Sequence, residues 1–307
     1  MNLTKDNYLR GSGTGNSWHV DIDPPKRKVK SYFEETLITA EEIYASKTGK
    51  LYLFFSGGTD SQYVFNVFEY LKFDFTPVIV RYTGKYYHHD YNHHDTIHAF
   101  EYCKSKNIEP LVINLDFDKF VESGEMFDIM REVECGVFGL PSIMKAAASL
   151  DGFTVLGDAP PYIKYNETDN SWYHEEAERY HSILTFYRTR NLNGCPFILN
   201  YSAEMLLSFY LDPTIVDLAN NKFPGKKGTH SSKAYVYNNG SGFNIPHYDY
   251  SSYKRVKMHG YEIIEKSSLL RMPEMFEFSP KNPNRPWNGY YYEEYHKLLN
   301  RLSIHQS

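Results

Sequence analysis

The sequence predicts an α/β protein, a doubly wound parallel sheet with a mostly helical, loop-rich C-terminal extension. Three observations carry this. Short apolar runs of strand length lie at 51–55, 76–82, 109–115 and 153–158. The segments between them repeat apolar residues at helical spacing. Strands joined by helix-length connections pair in parallel, and runs apolar on both faces belong to a sheet covered on both sides.

The chain has 307 residues and a formal net charge of −5, enough for one large α/β domain plus an extension. Mild acidity argues against a broad nucleic-acid footprint and leaves a local basic patch open. The sequence shows neither an apolar run of membrane-spanning length nor a signal-like start, so the expectation is a soluble, cytoplasmic protein with no membrane partner. Cys103, Cys135 and Cys195 are isolated, which fits a reducing compartment and gives no disulfide or zinc framework.

Residues 1–30 are polar and contain Gly11, Gly13, Gly15, Pro24 and Pro25, which reads as an irregular lead-in. The run Lys26-Arg27-Lys28-Val29-Lys30 reads as a solvated face. From Tyr32 to Ser46, Phe33, Leu37, Ile38, Ile43 and Tyr44 supply the apolar side of a helix that Gly49 ends. Leu51–Phe55 is the first strand. Ser56-Gly57-Gly58-Thr59-Asp60-Ser61 turns the chain, and Val64, Val67, Phe68 and Leu71 then recur as a helix.

Strand, Gly-rich turn and helix together aim unpaired backbone N–H groups and the positive end of a helix dipole at one point, where an anion belongs. Gly57 and Gly58 let the backbone pass close to a phosphate, and Ser56 and Ser61 add hydroxyl donors. Asp60 is too acidic to touch phosphate and would hold Mg²⁺ or a backbone amide. No Lys follows the glycines, and Gly225-Lys-Lys-Gly-Thr-His-Ser231 also lacks the Gly-Lys-Ser/Thr of a Walker loop.

Thr76–Tyr82 is the second strand and Glu109–Leu115 the third. Between them, His88-His-Asp-Tyr-Asn-His-His-Asp-Thr-Ile-His98 reads as a loop entering a helix, capped by Asn92 or Asp95. The alternative is a structural metal on His89 and His93 or His94 and His98, which share helix faces. Helices are expected over 120–134 and 141–150. The fourth strand ends in Gly157-Asp158, beside the Ser56–Ser61 turn at the carboxyl ends of the strands. Ser202–Tyr210 and Tyr290–Leu302 read as helices, and Phe223–Lys233 as a basic, mobile loop.

The six residues Ser56–Ser61 resemble the SGGxDS loop of the PP-loop ATP pyrophosphatases, a superfamily with the adenine nucleotide alpha-hydrolase-like fold. It includes asparagine synthetase, NAD synthetase, argininosuccinate synthetase, tRNA thiolases and phosphoadenylylsulfate reductases. The resemblance covers roughly residues 50–165. It implies ATP and Mg²⁺ as cofactors, and residues 31–200 as the nucleotide-binding domain with 201–307 as an extension or substrate lid.

By that resemblance Ser56, Gly57, Gly58, Thr59, Asp60, Ser61 and Gly157 surround the phosphates, Val80, Arg81 and Tyr82 receive the adenine, and Asp60 and Asp158 hold Mg²⁺. A cation is also needed near the triphosphate, and Lys226, Lys227 and Lys233 are the candidates, with Lys233 taken as catalytic beside Asp60. Gly157-Asp158 is similar to the second signature of the asparagine-synthetase-like branch, but Ala159-Pro160-Pro161 replaces its further Gly and acidic pair. Asn2 follows Met1, so the catalytic Cys of glutamine-dependent relatives is absent, and ammonia or sulfur would come from solution or a separate donor protein.

The implied reaction is attack of a substrate oxygen on the α-phosphate of ATP, giving an adenylylated intermediate and pyrophosphate, after which ammonia or another nucleophile displaces AMP. The acceptor would be a small molecule or a nucleobase. Three other readings stay open: a phosphoadenylylsulfate-reductase-like enzyme, a tRNA- or base-modifying enzyme, and a nucleotide-binding module without turnover.

Overall fold

The computed structural model describes residues 3–5, 8–12, 19–85, 88–221, 228–246 and 289–303. Its central sheet contains β3 (Lys50–Phe54), β4 (Thr76–Thr83), β5 (Leu111–Asp116), β6 (Gly152–Leu156) and β9 (Gly194–Cys195) in the order β5-β4-β3-β6-β9, all parallel. β3, which leads into the Ser56–Ser61 turn, is the middle strand.

The apolar strands cover two cores. Along β3, Leu51, Leu53 and Phe55 enter one core while Tyr52 and Phe54 enter the other. The first core is closed by α1 (Tyr32–Ser46), α2 (Thr59–Tyr70) and α3 (His93–Ser105). The second is closed by α4 (Phe117–Glu122), α5 (Glu125–Glu132), α6 (Gly139–Ala148) and α7 (Glu178–Thr189). Helices on both faces explain why the strands lack hydrophilic alternation.

Local chemistry sets the boundaries. Ser31 and Glu34 form a reciprocal capping box that starts α1. The single helix expected over 120–134 is two, because Gly124 sits at φ 81° between α4 and α5. The lead-in expected to be irregular contains an antiparallel ribbon, β1 (Tyr8–Ser12) and β2 (His19–Ile22). It is fastened by the buried Tyr8 hydroxyl, which donates to Glu176, and by Asn200, whose amide reaches both. In the basic run, Arg27 makes a bidentate pair with the buried Glu35.

The described part of the C-terminal region is mostly helical, with α8 (Ala203–Tyr210), α9 (Pro213–Asn221), α10 (Thr229–Asn238) and α11 (Tyr295–Ser303). Its residues Leu206, Tyr237 and Leu298 belong to the same core as α1 and α2. The helix expected over 290–302 begins as a strand, β10 (Tyr290–Glu294), which pairs with β8 (Ser171–Ala177) beside β7 (Ile163–Asn166). Tyr291 therefore takes a place in a sheet rather than on the face of α11. Lys233, expected on a loop, is buried in α10. Lys226 and Lys227 lie outside the described residues. Among the described residues no helix is long and apolar enough to cross a membrane.

Candidate nucleotide site at the end of strand β3

The turn after β3 is held by its own residues. Gly57 sits at φ 69°, and a Cβ there would lie 2.6 Å from the Ala99 backbone nitrogen of α3. The turn can therefore press against α3 only because it carries glycine. Gly58 is the N-cap of α2 and contributes no side-chain cap, so the first amides of α2 stay directed at the loop's mouth. The Ser56 hydroxyl accepts from the Gly58 amide at 3.3 Å and lies 3.2 Å from the Ser61 hydroxyl, which donates to the Gly58 carbonyl at 3.1 Å. Gln62 closes the turn by donating its side-chain amide to the Gly57 carbonyl at 2.8 Å. Ser56 is exposed, while Thr59 and Ser61 are buried.

The end of β6 meets this turn. A Cβ on Gly157 would stand 2.8 Å from the Cα of Ser61, so the two motifs touch through backbone. Asp158 is exposed and accepts the Ala159 amide on Oδ1 at 2.7 Å. Ala159 is buried at φ 58°, a left-handed conformation at the position where the resemblance expects a further glycine. The segment that follows, Pro161–Ile163, anchors α10. Thr229 donates its hydroxyl to the Pro161 carbonyl at 3.0 Å and accepts the Ile163 amide at 2.7 Å.

That anchorage aims α10 at the turn. Lys233 Nζ lies 2.6 Å from Asp60 Oδ2, and the Tyr237 hydroxyl donates to Asp60 Oδ1 at 2.7 Å. Tyr237 stacks on Tyr63, just beyond the turn, with ring centroids 4.3 Å apart and planes within 5°. Burial, and then the charge of Asp60, hold the Tyr237 phenol well above the usual tyrosine range, so it remains a donor. Tyr237 was not anticipated. It lies four residues after Lys233, on the same face of one helix, which is the signal that would have found it.

The expected adenine-binding backbone is also placed. Beyond Val78 the β3 side of β4 loses its strand partner because β3 turns away. Asn92 fills the gap, donating to the Val80 carbonyl at 2.7 Å and accepting the Tyr82 amide at 2.9 Å. Arg81 points elsewhere and pairs with Asp90 at 2.6 Å. Both line a cavity of about 360 Å³ with His93, Thr96, Phe100 and Lys104. The rings of His89, His93 and His94 lie 5.6 to 6.0 Å apart, but no metal-holding group of three is found among the described residues.

The donor set divides the two acids expected on Mg²⁺. Both oxygens of Asp60 are engaged, one by an ammonium, so its charge is already balanced within the fold. Asp158 is exposed at a strand end with one oxygen committed to a backbone amide, which fits a cation that keeps several waters and takes one or two carboxylates with phosphates.

Comparison with family models gives no match, and comparison with curated proteins gives none. Among solved structures, the chain is similar to a predicted subunit of tRNA methyltransferase from Methanocaldococcus jannaschii DSM. Identity is 16%, the TM-score is 0.31, and the match spans 52% of this chain and 72% of that one. A likeness at that level adds nothing to the assignment of the site.

Proposed function

We propose that the protein binds ATP at the Ser56–Ser61 turn and cleaves it to AMP and pyrophosphate while activating a substrate oxygen. The observation that carries this is the convergence of three separate segments on that turn: Gly157 against Ser61, Gly57 against α3, and Lys233 on Asp60.

The protein's part in such a reaction is positioning and charge balance. The amides at the start of α2 and the exposed Ser56 hydroxyl take phosphate oxygens. Asp60 holds Lys233 at the loop, where the ammonium can transfer its hydrogen bonding to the departing pyrophosphate. Tyr237 keeps Asp60 oriented when Lys233 turns to the phosphates. Mg²⁺, held by Asp158 together with the nucleotide's phosphates, would neutralise charge on the leaving group. The acceptor is a small-molecule or nucleobase oxygen, with nitrogen or sulfur delivered from solution or by a separate donor protein.

The test is release of AMP and pyrophosphate from α-labelled ATP with Mg²⁺, over a panel of carboxylate and nucleobase acceptors, with Asp158→Ala and Lys233→Met alongside. AMP that forms with one acceptor and is lost in Asp158→Ala and in folded Lys233→Met supports the reading. ADP as the product, or AMP release unaffected by both substitutions, overturns it.

A further inference from the structure

Asn92 stands at the start of α3, where a side-chain oxygen ordinarily accepts an amide of the first turn. It makes no such bond, and its backbone sits at φ −106°, ψ 26°. Its carboxamide is spent instead on β4, where the Val80 carbonyl and Tyr82 amide are the pair that one residue of a parallel neighbour would use. The ladder reaches this point through Phe55, whose amide donates to the Val78 carbonyl at 2.8 Å. One residue later the chain enters the Ser56–Ser61 turn. Asn92 thus replaces the next peptide unit of β3, directly beside the candidate phosphate loop.

The chemistry of the pair is specific. Val80 offers an acceptor and Tyr82 a donor, so the complement is a donor and an acceptor carried by one planar carbon. A carboxamide has this pattern, and so does the edge of adenine, with its amino group and adjacent ring nitrogen. The two cannot occupy the same backbone groups together. In the first turn of α3 the Asp95 amide already donates to the Asn92 carbonyl at 3.0 Å, so the His94 amide is the second partner that a carboxamide at this N-cap position can take. Tyr91 fastens the loop independently, by donating its amide to the Tyr82 carbonyl at 2.7 Å and its hydroxyl to the buried Asp118 at 2.7 Å. A rotation of the Asn92 side chain therefore need not unfold the loop.

We infer that the Asn92 carboxamide is a built-in competitor for the adenine edge, and that nucleotide binding moves it from β4 to the N-terminus of α3. The inference rests on the proposed ATP site and adds what governs entry of the base. A ligand whose site is open only part of the time binds more weakly by the open fraction. If the β4-bound state of Asn92 is favoured about ten-fold, its removal strengthens ATP binding about ten-fold. Asn92→Asp should behave in the same direction, because a carboxylate cannot donate to the Val80 carbonyl but caps a helix well.

The experiment is calorimetric titration of the full chain, and of Asn92→Ala and Asn92→Asp, with ATP and with inorganic tripolyphosphate, which carries no base. The expected result is about a ten-fold gain for ATP in both variants and no change for tripolyphosphate. Wild-type protein that binds ATP, with variants that bind it equally or more weakly, overturns the competitor and leaves the ATP site standing. ATP binding by none of the three proteins overturns both. Should the variants not fold, the side-chain amide resonance of Asn92 in the wild-type protein reports the same point. It shifts on saturation with ATP and not with tripolyphosphate if the inference holds, and stays unmoved by ATP if it does not.

Discussion

Lys233 and Asp60 are 173 positions apart in sequence, yet their charged atoms lie 2.6 Å apart, with 6% and 15% of the respective side chains exposed. A pair this buried is costly to break from one side, because the remaining carboxylate loses its ammonium partner and keeps only the Tyr237 hydroxyl of the two bonds described. Lys233→Met should destabilise the fold by about 3–5 kcal/mol, and the double substitution Asp60→Asn with Lys233→Met should recover most of it. Urea unfolding of wild type, both single substitutions and the double measures this. Additive losses would mean that the two groups do not interact.

Gly157 admits no side chain while Ser61 stays in place. Both sides of that contact are backbone, so neither can swing away. Gly157→Ala should cost about 1–3 kcal/mol and displace the turn, with a matching loss of ATP affinity in titration. An unchanged dissociation constant would show that the end of β6 has no influence on the turn.

Ala159 holds a left-handed backbone with a Cβ present. Ala159→Gly should relieve a strain of about 1–2 kcal/mol and return part of it as unfolded-chain entropy, for a net gain of about 0.5 kcal/mol. A lower melting temperature than wild type would contradict this.

Tyr32, Tyr63 and Tyr237 are buried, and burial raises each phenol above the ordinary value of 10.0. The folded state thus keeps protons that the unfolded chain releases near that value. Stability is full below the unfolded pKa and falls as pH rises through it, by up to about 1.4 kcal/mol per pH unit for each such phenol. Urea midpoints should decline across this alkaline window, with a shallower slope in Tyr63→Phe. An identical slope would exclude Tyr63 as a contributor.

Much of the fold was legible locally. The helix over 32–46 follows from periodicity and the four strands from short apolar runs, since burial on one face or both leaves its mark in the residues themselves. The elements that were misread are those whose partner is distant. Tyr290–Glu294 has the spacing of a helix and becomes a strand because β8 offers it an edge. Lys233 looks like part of a loop and is helical because Thr229 is pinned between Pro161 and Ile163.

The sequence by itself determined the parallel α/β sheet and the glycine-bearing strand–turn–helix at Ser56–Ser61, because strand length, glycine position and helix periodicity are short-range properties. Only the tertiary structure decided that Asp60 spends its charge on Lys233 and Tyr237, and that Asn92 completes β4 rather than α3. A carboxylate or a carboxamide can bond with any complementary group in reach, and which group that is depends on how distant segments pack.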